Sequence, residues 1–329
     1  MSVFGITNLA PEIEAQIVDG LNQVEDILRS RIEGKYLFAN ETSRHLIVAG
    51  GKRFRPLITL LGSMVGDGAN EAVIKAAAVC ELTHLATLYH DDVMDEAPLR
   101  RGVPSANSRW GNSVAILTGD YLFAKMSQIL AELGPEAVKL QADTFERLVI
   151  GQIMETQGPQ FGVDPLQHYL QVVADKTGSL IATSLRFGAM FAGCSKDEVE
   201  TITVFGEKIG VAFQLADDVI DIASDSHESG KTPGTDLREG IPTLVTLNAM
   251  NSNDPKDSKL KDLLSGPIKS EEKVQWVIRE LRGHKALDES KAQLQRIAKE
   301  ARAALGPLPI NSASSALFSL CDLVIDRVS

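Results

Sequence analysis

The chain has 329 residues, long enough for two domains, and is 44% hydrophobic but only 5% aromatic. An aliphatic, alanine-rich core of that kind favours packed helices over a sheet. The formal charge of −11 argues against bulk nucleic-acid binding, so a polyanionic ligand must be met by local clusters of base and by metal.

Pro11 opens a helix over residues 11–33, with Ile13, Ile17, Leu21, Val24 and Leu28 at helical spacing. That face covers either the core or a partner subunit. Residues 49–56 read Ala-Gly-Gly-Lys-Arg-Phe-Arg-Pro and lead into an apolar helix ending near residue 65. Gly50 and Gly51 let backbone approach a ligand closely, and Lys52, Arg53 and Arg55 set three cations beside them. This stretch reads as diphosphate capture or as a basic helix cap. A long helix over 70–92 is built from small side chains, Ala76, Ala77, Ala78, Cys80, Thr83, Ala86 and Thr87, and holds His84. His84 is either a satisfied structural histidine or, two turns from Asp91 near one face, a ligand group.

That helix ends in His-Asp-Asp-Val-Met-Asp, residues 90–95, followed by Pro98 and then Arg100-Arg101-Gly102. Asp91 and Asp95 are i and i+4, so they project from one helical face and repel each other. A cation relieves that repulsion, and carboxylates with no nearby cysteine suit magnesium. Read alone, the run is equally a solvated helix end. A second copy changes the balance: residues 214–221 are Gln-Leu-Ala-Asp-Asp-Val-Ile-Asp, again closing an apolar helical run.

Further helices are expected over 107–133 and 136–157, split at Gly134-Pro135, then over 166–192 and 196–223. Gln152 and Glu155 reach a metal-bound water or, the simpler reading, cap a neighbouring helix. Residues 158–165 form a loop containing Phe161. Lys176 and Thr177, followed by Gly178, predict a kink in mid-helix that exposes backbone. Residues 224–242, with Lys231 and several glycines, are a lid over phosphate or an ordinary connector. Residues 251–270 read as surface, and helical pattern returns over 271–305 and 311–327. No strand alternation is long enough to build a sheet. Cys80, Cys194 and Cys321 are too few and scattered for a disulfide framework or a zinc site, which fits a reducing compartment. No apolar stretch is expected to reach membrane-spanning length, and no secretory signal is read at the N-terminus, so the expected location is cytoplasmic.

Taken together, these motifs resemble those of the trans-isoprenyl diphosphate synthases, and of their long-chain polyprenyl members in particular. The resemblance runs from about residue 45 to residue 245. It rests on Gly-Gly-Lys-Arg-Phe-Arg-Pro, His84 before Asp-Asp-Val-Met-Asp, Arg100-Arg101-Gly102, Lys176-Thr177, Gln214 with the second aspartate motif, and Lys231 before Gly-Thr-Asp236. It implies an all-α bundle around a deep central cavity, a single polyprenyl synthase domain over 1–329, and a homodimer. It further implies that both aspartate motifs serve one cavity and hold magnesium, three ions per active site with substrate bound.

By the same resemblance, Asp91, Asp95, Asp217 and Asp221 are the metal set on an allylic diphosphate, with Asp221 and Asp236 also supporting nearby waters. Arg100, Lys176, Thr177, Gln214 and Lys231 contact that diphosphate; Lys52, Arg55, His84 and Arg101 bind isopentenyl diphosphate. Asp91, Asp95, Lys176, Gln214 and Asp217 form the catalytic set. One position departs from the family pattern: Gly240 is followed by Ile241 where a lysine is usual, leaving Lys231 and Arg238 as the nearby cations. The implied product is an all-trans polyprenyl diphosphate, destined for a quinone side chain and apolar enough for transient membrane association on release. Ala86, Thr87 and Thr83 are small where short-chain relatives carry bulk, so the expected product is longer than geranylgeranyl, in the heptaprenyl to nonaprenyl range. The rival readings are a short-chain geranylgeranyl synthase, a class I terpene cyclase, a metal phosphohydrolase using His90-Asp91, and a non-catalytic partner subunit. The Asp-rich second motif, the few histidines and the presence of both acidic motifs weigh against the last three in turn.

Overall fold

The computed structural model describes residue 6, residues 9–223 and residues 233–328. The fold is all-α, and the one sheet among the described residues is a two-stranded ribbon. The chain divides into two compact units: Met1–Phe145 with Leu180–Thr203 and Pro307–Leu317, and Glu146–Ser179 with Val204–Gly306 and Phe318–Ser329.

The first unit holds α1 (Pro11–Arg31), α2 (Leu37–Val48), α3 (Phe54–Ser63), α4 (Glu71–Met94), β1 (Leu99–Arg100), β2 (Val103–Pro104), α5 (Ala106–Trp110), α6 (Asn112–Leu133) and the start of α7 (Pro135–Gln157). Its centre is α4, which packs on α6, α3 and α1. Asn70 caps α4 by accepting the Val73 N–H, and Ala76, Ala77, Ala78, Val79, Cys80 and Leu82 are fully buried. Contrary to the sequence expectation, α4 is long and apolar enough to cross a membrane, but 72% of that window is buried inside the protein. It is the core helix of its unit, with most of its apolar positions covered by α1, α3 and α6. Gly119 lets α6 approach: a Cβ there would meet His90 Nε2 at 2.3 Å and the Ala86 carbonyl at 3.1 Å. α2 lies outside the helices expected from the sequence. Tyr89 on α4 holds it, donating its buried hydroxyl to the Thr42 carbonyl at 2.6 Å.

The second unit holds the rest of α7, α8 (Pro165–Val173), a π-helical turn (Ala174–Gly178), the start of α9 (Ser179–Phe191), and most of α10 (Lys196–Ala223). It continues through α11 (Thr235–Glu239), α12 (Leu244–Met250), a 3-10 turn (Pro255–Asp257), α13 (Ser258–Leu264), α14 (Glu271–Gly283), α15 (Lys285–Ala304) and the end of α16 (Ser312–Asp326). The expected kink at Lys176-Thr177 is this π-helical turn, which lies within an otherwise continuous helical path. Two expected helices are each divided. Gly111, at φ 85°, separates α5 from α6. His284 separates α14 from α15: its Nδ1 accepts the Ala286 N–H, which leaves the proton on Nε2 to donate to Asp257. The sequence-expected loop over 224–242 contains α11 among its described residues.

Candidate active site

In the first unit the candidate residues begin at the end of α4. Asp95 is the C-cap, and its N–H returns to the Asp91 carbonyl at 2.8 Å, so the two side chains keep the i, i+4 relation. Asp91 is partly exposed and Asp95 exposed, whereas Asp92 between them is fully buried. Asp92 turns inward and accepts from Arg100 Nε at 2.6 Å, while its second oxygen has no hydrogen-bond partner. Burial pushes the Asp92 carboxyl above its usual range against the pull of Arg100. Arg100, expected on the allylic diphosphate, therefore commits Nε to Asp92 and keeps a side chain 30% exposed.

Arg101 and Gly102 form the tight turn of the ribbon, both at positive φ (54° and 77°), the pattern of a type I′ two-residue hairpin. The Arg101 guanidinium lies back against the Gly50–Gly51 loop, with Nη1 donating to the Gly50 carbonyl and, at 2.8 Å, to that of Leu46. Arg53, one of the three cations read from the sequence, is spent on structure. It is 9% exposed and donates to Glu25, to Glu81 at 3.2 Å and to the Ile47 carbonyl at 3.0 Å. Glu81, 1% exposed on α4, also lies 3.9 Å from Arg101, and so it gathers two arginines. Its signal in the sequence was a lone acid inside the run Ala76–Leu82.

Lys52 stands exposed, and Arg55 is partly buried with an Nε that has no hydrogen-bond partner. Burial pulls the Arg55 guanidinium below its ordinary pKa, with Glu81 and Asp91 acting against that shift. His84 is held well below the usual imidazole range, first by burial and then by Arg55, Arg101, Arg100 and Arg53. Arg55 and Arg101, of the sequence-expected isopentenyl diphosphate set, thus lie with Arg100 and Arg53 in the electrostatic surroundings of His84, while Lys52 stands apart on the surface. A neutral imidazole supplies an N–H donor without adding to the positive charge. Of the chain-length residues, Thr87 is partly exposed, on a stripe with His84, Leu88 and Asp91; Ala86 and Thr83 are fully packed. Thr83 accepts from buried Gln141 at 3.0 Å.

In the second unit the other aspartate motif repeats this division. Asp217 and Asp221 are partly exposed, and Asp218 is 4% exposed. Asp218 accepts from Tyr169, from Gln214 at 3.1 Å and from the Leu244 N–H at 3.2 Å, tying α10 to α8 and to the start of α12. Burial pushes its carboxyl up to about 6. A helix advances 100° per residue, so an Asp-Asp-x-x-Asp run puts its first and fourth-following residues outward and the second inward.

Asp221 accepts the Gly234 N–H at 3.1 Å, and Asp217 pairs with Arg327 at 2.5 Å. Arg327 also covers the Phe213 ring at 4.8 Å. Thr177 donates to Gln214 at 3.4 Å, and Lys176 pairs with Glu155, which also accepts from Gln152 at 3.2 Å. Arg238, a nearby cation in the sequence reading, is occupied by Glu271 and by the Pro233 carbonyl. Lys231 lies outside the described residues.

The donor set fits a hard divalent cation. Each outer pair is carboxylate only, and among the described residues no three His, Cys, Asp or Glu groups are gathered as a closed metal cage. Carboxylate oxygens are the usual protein ligands of magnesium, with water and substrate phosphate as its other common ligands.

Comparison with known proteins agrees. The family model for polyprenyl synthetase matches residues 38–281. A nonaprenyl diphosphate synthase of Mycobacterium tuberculosis is 46% identical over 95% of this chain and 94% of its own. A dimethylallyltranstransferase of the same organism is 38% identical over 96% of each. The crystal structure of geranylgeranyl pyrophosphate synthase from Corynebacterium glutamicum, complexed with calcium and isoprenyl diphosphate, superposes with a TM-score of 0.88 at 43% identity, covering 98% of this chain and 99% of that one. With the motifs, the all-α fold and these relatives in agreement, the chain belongs to the polyprenyl synthetase family and is a prenyltransferase.

Proposed function

We propose that the chain condenses an allylic diphosphate, farnesyl or geranylgeranyl, with successive isopentenyl diphosphates to make a long-chain all-trans polyprenyl diphosphate. The observation that carries this is the shared division of labour in the two motifs. Asp92 and Asp218 are consumed by the fold, while Asp91, Asp95, Asp217 and Asp221 keep exposure for a ligand. Residues 1–329 act as one catalytic domain, as a cytoplasmic homodimer, on diphosphates held with magnesium; the product goes to a quinone side chain.

Asp91, Asp95, Asp217 and Asp221 would hold the magnesium ions, which as Lewis acids neutralise charge developing on the leaving diphosphate. Lys176, Thr177 and Gln214 fix the allylic diphosphate. Lys176 leaves Glu155 to do so, and Arg100 and Lys231 complete that set. Lys52, Arg55, Arg101 and neutral His84 hold isopentenyl diphosphate. Preorganised cations of this kind stabilise charge without reorganising during the reaction. The departing diphosphate takes the proton lost when the new double bond forms.

A shorter product, geranylgeranyl diphosphate, is the second reading. The full packing of Ala86 and Thr83 favours it, as does the similarity to the C. glutamicum enzyme. Incubation with farnesyl diphosphate, labelled isopentenyl diphosphate and magnesium decides between them. After dephosphorylation, chromatographic sizing should give heptaprenyl to nonaprenyl alcohols. Products stopping at geranylgeraniol establish the shorter reading, and a cyclic hydrocarbon rejects both. Turnover undiminished by a chelator rejects the metal role.

A further inference from the structure

Lys176 and Thr177 sit in a π-helical turn, a conformation that is rare and rises from an extra residue squeezed into a helix. Something must hold that turn, and the second unit shows what does. On α7, Arg147, Gly151 and Glu155 follow at i, i+4 and i+8, so they form one stripe. Arg147 Nε donates to Asp175 at 3.1 Å, immediately before Lys176. Gly151 admits the backbone of the turn: a Cβ there would stand 2.6 Å from the Lys176 nitrogen. Glu155 receives the Lys176 ammonium.

α10 presents a matching stripe. Glu207 takes both Arg147 Nη groups, at 2.6 and 3.1 Å, and Gln214, two turns on, accepts from Thr177. Asp175 is 9% exposed and has both oxygens engaged, the second by Gln171 at 2.6 Å. Glu207 and Asp175 together raise the Arg147 pKa, so its charge is permanent. The side-chain contacts of Arg147 run to Glu207 and to Asp175, the residue immediately before Lys176 and Thr177.

We infer that Arg147, braced by Glu207, is a positioning residue for the allylic-diphosphate contacts: through Asp175 it fixes the π-helical turn that presents Lys176 and Thr177. This rests on the assignment of Lys176 and Thr177 to the allylic diphosphate. Loss of the brace lets the turn relax toward α-helical geometry, which rotates Lys176 and Thr177 away from their present directions. Misplacement of about 1 Å costs up to roughly 100-fold in such sites.

The test is steady-state kinetics of Arg147→Gln and Glu207→Gln with each diphosphate varied in turn. KM for the allylic substrate should rise about tenfold, with KM for isopentenyl diphosphate changed less than about twofold. Arg147→Lys keeps the charge but not the planar fork that spans two carboxylates, so it should recover only part of the loss. If Arg147→Gln does not fold, Arg147→Lys and Glu207→Gln carry the same comparison, with thermal melts as the control. Unchanged allylic KM, or both KM values rising together, overturns the inference. Lys176→Ala is measured alongside. A raised allylic KM in Lys176→Ala but not in the Arg147 variants rejects the brace alone; no effect in any of them rejects the Lys176 assignment and the brace with it.

Discussion

The guanidinium of Arg101 lies flat against Gly51, so close that a Cβ on Gly51 would stand 2.7 Å from its Cζ. Gly51 has φ 141°, a conformation that L side chains rarely adopt, and Arg101 itself is held at φ 54°. The glycine pair therefore does more than let a ligand approach: it receives the cation that the ribbon turn delivers. Gly51→Ala combines strain with a clash and should destabilise the protein by about 1–3 kcal/mol. It should also raise KM for isopentenyl diphosphate, because Arg101 has to move. Urea unfolding and substrate titration check both, and a variant with wild-type values in each would show that the contact is incidental.

The candidate site is legible where its signals are local. The Asp-Asp-x-x-Asp runs, Gly-Gly-Lys-Arg-Phe-Arg-Pro and Lys176-Thr177-Gly178 are each contained in a few residues, and helical spacing marked α1 and α4. What stayed hidden depends on partners distant in the chain. Nothing near Arg53 says that Glu25 and Glu81 will claim it while Lys52 stays outside. Arg147, Asp175 and Glu207 come from separate helices, and Arg327 meets Asp217 across 110 positions. α2 was missed for the same reason, since its anchor is a hydroxyl on α4. Ala86 and Thr83 illustrate the converse limit: small side chains on a helix read equally as a tunnel wall or as a tight helix contact.

His84 gives the protein an acid-side weakness. Its folded pKa lies well below that of the unfolded chain, first through burial and then through the arginines around it. A depressed histidine pKa means that the unfolded state binds the extra proton. Stability from this group is therefore present above about pH 6.5 and lost as pH falls below it. The slope should approach about 1.4 kcal/mol per pH unit until the folded pKa is reached. Urea midpoints between pH 7.5 and 5 measure it, and His84→Gln should remove that component. An identical pH dependence in the variant would place the weakness elsewhere.

Arg327 pairs with Asp217, one of the carboxylates proposed to hold metal, with its Nη2 at 2.5 Å and both side chains about one quarter exposed. A cation binding Asp217 must displace or outcompete it. Partly exposed pairs are worth about 0.2–1 kcal/mol, so Arg327→Gln should tighten substrate-free Mn²⁺ binding by up to about fivefold. Electron paramagnetic resonance of free Mn²⁺ reads this without turnover. Asp217→Asn should weaken binding and erase the difference. Equal affinity in wild type and Arg327→Gln would mean that the two ligands do not compete.

The helix preceding Asp91 separates two kinds of test for product length. His84, Thr87, Leu88 and Asp91 share one partly exposed stripe at i, i+3, i+4 and i+7, whereas Ala86 is fully packed with its carbonyl close to Gly119. Thr87→Phe adds bulk on that partly exposed stripe, one turn from Asp91, about 5.4 Å along the axis. It should shorten the product to farnesyl or geranylgeranyl with little change in stability. Ala86→Phe should shorten the product too, but it also overpacks the contact with α6 at a cost of about 1–3 kcal/mol. Product sizing beside thermal melts distinguishes these effects. If Thr87→Phe leaves chain length untouched while Ala86→Phe only lowers the melting temperature, the growing chain does not run along this helix, and the small residues of α4 serve packing alone.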